Sequence, residues 1–343
     1  MNKKAFRSDL LLLLTALFWG FGFVAQRSGM QYVGPFTFNA VRFVLGGLSL
    51  LPVLVFRRRK NLECHSATAE ACIQSSLTTG TILFFAVMIQ QIGIMFTTAG
   101  NAGFITGLYV VIVPIVGIFF RRKTGKFTWI GTMFTLLGMY FISTAGHFDT
   151  INIGDGIIFV SAFFWAVHVL LIDRFVRQND PIQLSVGQFI VCGILCSVCT
   201  FAIEPHLNSI IARVAPALLE KSLVTWKPLI VLIMDIGAMD ISSILDTIIP
   251  ILYGAFISVG VAYTLQVVAQ KDAPPAHATI ILCFEGSFAV LGGILILHEP
   301  IGRWTLLGFA LMLTGILISQ REVLRGMDDN NYLNSHPFDD TPR

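Results

Sequence analysis

The sequence predicts an all-α, polytopic integral membrane protein of ten transmembrane helices, arranged as two inverted five-helix repeats. Three observations carry that expectation: composition, an internal register of matching residues, and the distribution of basic residues among the connections. Of the 343 residues, 55% are hydrophobic and 13% charged, with a mean hydropathy of +0.76. Soluble domains carry about 25% charged residues. Ten apolar stretches of the ~17–25 residues needed to cross a bilayer lie at 10–25, 35–56, 77–96, 99–120, 127–143, 157–176, 181–202, 247–269, 274–297 and 304–319. They must be helical, because a lone strand leaves its backbone polar groups unpaired in hydrocarbon and these runs lack the alternation of a barrel.

The register begins with Leu17-Phe18-Trp19-Gly20, matched 146 residues later by Phe163-Phe164-Trp165-Ala166. The same interval relates Pro35 to Pro181, Phe43 to Phe189 and Gly47 to Gly193. Further on, Gln90 matches Gln266 at an interval of 176, and Gly131 and Gly138 match Gly308 and Gly315 at 177. The second unit is therefore longer by roughly 30 residues. Units at 10–145 and 154–320 follow, and five helices per unit, being odd in number, turn the second copy upside down. Inverted repeats of this kind place a binding site near the bilayer midplane, between the halves.

Orientation comes from the basic residues, since short loops rich in Lys and Arg stay in the cytoplasm. With the N-terminus inside, sixteen Lys and Arg fall on the cytoplasmic side and five on the other. Both termini are thus expected in the cytoplasm. Merging or splitting one span would scatter the later positives across both faces. The start of the chain imitates a signal peptide, with Lys3, Lys4 and Arg7 before a leucine run, but no A-x-A pattern follows and it reads as a retained first helix. The cytoplasmic loops account for the net charge of +3, so it does not point to nucleic acid.

Cys64 and Cys72 fall in a cytoplasmic loop and Cys192, Cys196, Cys199 and Cys283 within helices, a pattern unlike a disulfide framework. The trio at 192, 196 and 199 shares a helical face. With no His or acid beside it, it reads as small buried residues and not as a metal site. The long connection at 204–246 holds most of the extra length; Asp235, Asp240 and Asp246 prevent a further span, and interfacial helices over the outer mouth are expected there. It reads either as a lid or partner site or as an insertion without transport chemistry. The tail at 326–343 is polar, aperiodic and expected to be disordered.

Glu285 is the residue that lipid exposure cannot explain: eleven positions into its span, it lies ~16 Å deep at ~1.5 Å per residue. A carboxylate there must be protonated, paired or bathed by water in a cavity, which makes function the default reading and a structural ion pair the plain one. His277 and Ile281 are on its helix face. Arg42, seven positions past Pro35, lies ~10 Å below the outer edge, and Gln188 is its counterpart in the second unit. It can pair with Glu285 across the units, snorkel outward, or bind a substrate carboxylate with its planar fork.

Helical stripes of polar and aromatic residues are expected to line the same cavity: Trp165 with His168, Thr106 with Tyr109, and Tyr263 with Gln266 and Gln270. Gln90, Gln91 and Asn101 add hydrogen-bonding groups, and Trp19 should face Trp165 across the pseudo-two-fold axis. Singly, each also fits an interfacial anchor or polar helix glue, and His168 fits a pH sensor. As a set they suit a small amphipathic solute. Gly103 with Gly107, and Ala289 with Gly293, have the spacing that lets helices approach closely.

The chain resembles the drug/metabolite transporter superfamily, in its EamA-like branch of two five-helix repeats, over about residues 10–320. The resemblance rests on Phe18-Trp19-Gly20, on the spacing from Pro35 to Arg42-Phe43, and on Leu297-His298-Glu299-Pro300 before a Gly-containing last helix. The family usually has Gly where His298 stands, and Glu-Pro where this chain has Glu285-Gly286. The resemblance implies an inner-membrane exporter of small metabolites, often amino acids or their derivatives, with a cavity built by helices one, three, four, six, eight and nine. Helices five and ten would support packing or a homodimer.

The expected function is therefore a secondary transporter working by alternating access, with Glu285 as the proton-coupling group. Its expected partners are a small-molecule substrate, protons and the lipid bilayer, with no cofactor and no metal. An intramembrane enzyme would need a nucleophile-base set or clustered acids; neither an H-E-x-x-H helix nor a G-x-S-x-G turn is present. A membrane scaffold, receptor or scramblase of the same fold is the competing reading.

Overall fold

The structure is a computed structural model that describes residues 3–30, 33–60, 68–97, 99–119, 124–144, 153–204, 206, 248–297 and 303–328. All regular elements among them are helical: α1 (Lys3–Gly29), α2 (Pro35–Arg59), α3 (Ala69–Ile94), α4 (Ala99–Gly107), α5 (Tyr109–Phe119), α6 (Lys126–Thr144), α7 (Ile153–Phe175) and α8 (Pro181–Ala202). After the long connection come α9 (Ile248–Gln270), α10 (Pro275–Leu282), α11 (Phe284–Leu297) and α12 (Arg303–Asp328). Eight helical stretches among the described residues are long and apolar enough to cross a membrane, counting α4 with α5 and α10 with α11 as single spans. The expected fifth and tenth spans correspond to α6 and to the shorter apolar part of α12, Leu306–Ser319.

The sequence sets several of these ends. Asp180 caps α8, its carboxylate accepting from the backbone N–H of Ile182 at 2.9 Å and Gln183 at 3.2 Å, with Pro181 in the first turn. Thr68 caps α3 through the Ala71 N–H. At the other end of the bundle, Glu204 lies just past α8 and reaches the first turn of α2: it accepts from the Thr37 N–H at 2.8 Å and the Thr37 hydroxyl at 2.6 Å. Burial pushes the Glu204 carboxyl above the usual carboxylate range, and the Thr37 bonds pull the other way.

The expected fourth and ninth spans depart from continuous helix. The first is interrupted at Leu108, whose N–H reaches back three residues to Ile105, and the second at Cys283. No proline is needed at the second break: Gly286 donates to the Cys283 carbonyl at 3.2 Å, while the backbone of Gly103 packs directly on Gly286. The centre of α9, Tyr253–Tyr263, is wound as a π-helix. Side chains of α1 serve carbonyls of that segment, Trp19 Nε1 to Ser258 at 3.3 Å and the Thr15 hydroxyl to Ala262 at 3.2 Å. Such π segments concentrate at functional sites.

The most extensive helix pairs are α6 with α12, α2 with α8 and α3 with α7. In the first, a Cβ on Gly131 would fall 2.6 Å from the Gly315 carbonyl and one on Gly138 2.6 Å from that of Gly308, so the two helices run antiparallel in backbone contact. Gly47 packs on Phe189, and Gly193 on Phe43 and Val44. Without a hydrophobic drive between helices in lipid, close approach over small residues supplies the association. Gly131→Ala is therefore expected to lower the thermal stability of detergent-purified protein, by about 1–3 kcal/mol for overpacking, even though alanine is the better helix former.

Along α8, Ile194, Val198 and Phe201 are 55%, 59% and 69% exposed and suited to lipid, whereas Cys192 and Cys196 are buried. The cysteine face is packing surface, with Cys196 Sγ 3.7 Å from Met88 Sδ. Helix α12 runs to Asp328 and so reaches into the segment expected to lack structure. The rest of that tail, nearly all of the 204–246 connection, and His298-Glu299-Pro300 lie outside the described residues.

Candidate functional site

A cavity lies within the bundle, walled by the spans the resemblance implied and by one more. Helix α1 contributes Trp19, Phe23 and Gln26; α3 contributes Gln90; α4 and α5 contribute Thr106 and Tyr109. Trp165 and Val169 come from α7, Ser258, Tyr263 and Gln266 from α9, and Leu282 and Glu285 from either side of the second break. Arg42 of α2 is the addition. The cavity volume between these walls is about 20 Å³. That holds one or two waters.

Aromatic rings form one wall. Tyr263 sits among Trp19, Trp165, Phe43 and Phe189, with ring centroids 4.6, 6.0, 5.8 and 5.8 Å away. Trp19 and Trp165, the residues related by the 146-residue interval, meet at 6.0 Å, and Phe43 and Phe189, related likewise, meet at 6.1 Å. These separations suit edge and offset ring contacts, which are rigid and amphipathic.

The polar wall contains the two breaks. Tyr109 opens α5 just past the first break, and its hydroxyl donates to Glu285 Oε1 at 3.3 Å; Glu285 opens α11 just past the second. The two are 176 residues apart, the same interval as Gln90 and Gln266, which also face this cavity. Cys283 Sγ donates to the Gly107 carbonyl at 3.1 Å, so a side chain serves one of the carbonyls left at the first break. Gln90 donates to the Thr106 hydroxyl at 2.9 Å. Both amide atoms of Gln266, Trp165 Nε1 and Gln26 Oε1 are buried without a hydrogen-bond partner among the described residues. Each such group costs about 1–3 kcal/mol if left unmet, which calls for water or a polar solute.

Arg42 is only 2% exposed, so it does not snorkel out of the bundle. Nor does it pair with Glu285: among the described residues no ion pair joins the two. Its Nε donates to Asn39 Oδ1 at 2.7 Å, one turn back on the same helix, and its guanidinium carbon lies 5.5 and 5.0 Å from the Phe38 and Phe43 ring centroids. Asn39 in turn donates to Met88 Sδ at 3.2 Å. A local bond on one helix and two ring faces hold the cation where the carboxylate of another helix was expected.

Of the ten residues expected at the site, Glu285, Arg42, Tyr109, Gln266, Trp19, Trp165, Gln90 and Tyr263 line this cavity. His168 does not: it is fully buried behind Trp165, its ring 5.9 Å from that indole, and Nε2 lies 2.9 Å from Oε1 of Gln188. Asn101 does not either, because it stands only two residues into α4, toward the end of its span. His277, expected on the Glu285 face, instead joins Asp9 and Ser319 near the start of α1. Phe23, Gln26 and Ser258 were missed. The first two continue the helical stripe of Trp19 and were within reach of periodicity; Ser258 was not, since the π-helix changes which residues share a face with Tyr263.

A bundle of apolar helices around an internal cavity, with Arg42 and Glu285 buried in its wall and two spans interrupted, defines a polytopic membrane protein of the transporter class. The chain belongs to the EamA-like transporter family, whose profile matches it twice, at residues 6–144 and 152–320. It is similar to an uncharacterized transporter of Archaeoglobus fulgidus, 28% identical over 93% of this chain and 87% of that one. The uncharacterized transporter YoaV of Bacillus subtilis is 20% identical over 90% and 94% of the two chains. The uncharacterized inner membrane transporter YedA of Escherichia coli strain K12 is 26% identical over 46% and 52%. One solved crystal structure shares the fold with a TM-score of 0.68 and 14% identity, over 93% of this chain and 98% of that one.

Proposed function

We propose that this protein is a secondary transporter of the inner membrane that exports small metabolites such as amino acids or their derivatives. It works by alternating access, in which two inverted five-helix units, 10–145 and 154–320, rock about the cavity. The observation that carries this reading is the presence of a buried, mutually unpaired Arg42 and Glu285 with unmet amide and indole groups around one aromatic-walled space. Lipid-facing or purely structural residues gain nothing from that arrangement.

The inverted build is supported by contacts that repeat when the units are exchanged. Gly131 meets Gly315 as Gly308 meets Gly138, and Gly47 meets Phe189 as Gly193 meets Phe43. Trp19, Phe43 and Tyr109 each meet the residue their own interval assigns them: Trp165, Phe189 and Glu285. The excess of basic residues in alternate loops supports both termini being cytoplasmic.

Within the site, Arg42 receives an anionic group of the solute, the rings around Tyr263 receive its apolar part, and Gln90 and Gln266 set its orientation. Glu285 exchanges a proton as the cavity faces each side. The test is counterflow in liposomes reconstituted with the purified protein, using candidates found by comparing metabolites in the medium of overexpressing and empty-vector cells. Solute-specific counterflow is the expected result, with Arg42→Gln weakening the apparent affinity for an anionic solute by about tenfold or more and Arg42→Lys recovering part of it. No counterflow with any exported candidate would remove the carrier reading in favour of a scaffold or scramblase.

A further inference from the structure

Among the described residues, polar ties outside the cavity join the two units at each end of the bundle, and four of them place a carboxylate across the units. At the end where α1 and α8 begin, Arg57 Nη2 lies 2.9 Å from Asp180 Oδ2, and His277 Nε2 lies 3.0 Å from Asp9 Oδ1. At the opposite end, Glu204 binds Thr37 twice, at 2.8 and 2.6 Å, and the Thr97 hydroxyl donates to Asp155 Oδ1 at 2.7 Å. Each tie spans from 10–145, or the residue just before it, to 154–320. None serves the cavity.

One carboxylate at each end follows the register of the cavity. Asp9 and Asp155 stand 146 residues apart, the interval that relates Trp19 to Trp165, and each lies in the opening part of the first helix of its unit. Asp180 and Glu204 each place a carboxylate on the first turn of one member of the α2 and α8 pair, Asp180 on α8 itself and Glu204 across to α2. Opposite ends of the α2 and α8 pair are thus each fastened by a carboxylate, with different partners. The first end pairs Asp180 with a guanidinium and Asp9 with an imidazole; the second uses neutral hydroxyl and backbone donors. Asp180, Glu204, His277, Thr37 and Thr97 are 3%, 7%, 2%, 1% and 7% exposed, while the Arg57 and Asp9 side chains are 32% and 18% exposed, so each tie has at least one buried partner.

We infer that these four ties are the two gates of the carrier: Arg57–Asp180 with Asp9–His277 closes the cytoplasmic mouth, and Thr37–Glu204 with Thr97–Asp155 closes the outer one. The assignment rests on the carrier reading above and on the orientation given by the basic loops. All four are made at once in a structure whose cavity has no room for a solute. For either mouth to open, the units must part at that end while staying joined at the other. Contacts that cross between the units at the ends have to break in alternation, whereas the glycine contacts of α6 with α12 do not.

The test uses the full chain in intact cells, with a cysteine reporter on the cavity wall, Gln26→Cys, and a membrane-impermeant maleimide added outside. The parent without the reporter gives the background from native cysteines. Cutting the inner ties with Arg57→Gln and Asp9→Ala is expected to slow reporter labelling about three- to tenfold, and cutting the outer ties with Thr37→Val and Thr97→Val to speed it by a similar factor. Arg57→Lys, which keeps the charge, is expected to label close to the parent rate and separates lost pairing from lost folding. Shifts of the same sign in both sets, or none in either, would overturn the gate assignment while leaving the carrier reading in place. A reporter left unlabelled from outside in every variant, the parent included, would overturn both.

Discussion

Glu285→Gln is expected to abolish uptake driven by a pH gradient in liposomes, leaving it at the level of protein-free vesicles, while solute counterflow at equal pH persists. The carboxylate is 3% exposed and its protein hydrogen bond is the long one from the Tyr109 hydroxyl. Glutamine has the same shape and keeps an acceptor for that hydroxyl, so the cavity walls stay as they are. What it removes is the ability to take and release a proton. A carboxylate at the membrane centre is costly as an anion unless water or a cation reaches it, and Arg42 is engaged with Asn39. On the proposed cycle its charge state would follow which side the cavity faces, the property a coupling group requires. If the pH dependence of Glu285→Gln equals that of the parent, the carboxylate is a structural acid and the coupling group lies elsewhere.

Much of this site was legible in the sequence because the duplication wrote it twice. Trp19 and Trp165, Phe43 and Phe189, and Gln90 and Gln266 could be aligned without coordinates, and a two-fold arrangement brings such pairs together near its axis. Depth along a span was equally legible, since a helix advances by a fixed rise per residue; Glu285 and Arg42 were placed by counting. What could not be read was the local choice among partners of similar depth. Arg42 found Asn39 on its own helix, and His168 turned to Gln188, the residue standing where the first unit has Arg42. Departures from α-helix were the other blind spot. Nothing in Gly107-Leu108-Tyr109 or Leu282-Cys283-Phe284 announces an interruption, because the breaks are stabilised by a partner helix through Cys283 and Gly107. The π-helix likewise depends on Trp19 and Thr15 of α1 to serve its carbonyls, so Ser258 became a cavity residue through a neighbour's side chains.

Gly20→Ala is expected to be among the most damaging conservative changes in the chain. Alanine favours a helix over glycine by about 1 kcal/mol, and that gain should appear wherever space is open. At Gly156, where an added Cβ meets nothing within 4 Å, Gly156→Ala is expected to leave thermal stability unchanged or raise it by up to about 1 kcal/mol. At Gly20 the same methyl would fall 2.7 Å from the Glu285 carbonyl oxygen and 2.8 Å from the Phe288 carbonyl carbon. Those are backbone atoms and cannot rotate aside. Helix α11 must move away from α1 at the turn that carries Glu285, at a cost of about 1–3 kcal/mol or more. The displacement also pulls Glu285 from Tyr109, so transport should fall further than stability. Thermal unfolding in detergent and counterflow, measured on both variants, check the pair: a Gly20→Ala protein as stable and active as Gly156→Ala would show that α1 and α11 do not meet in backbone contact at this site.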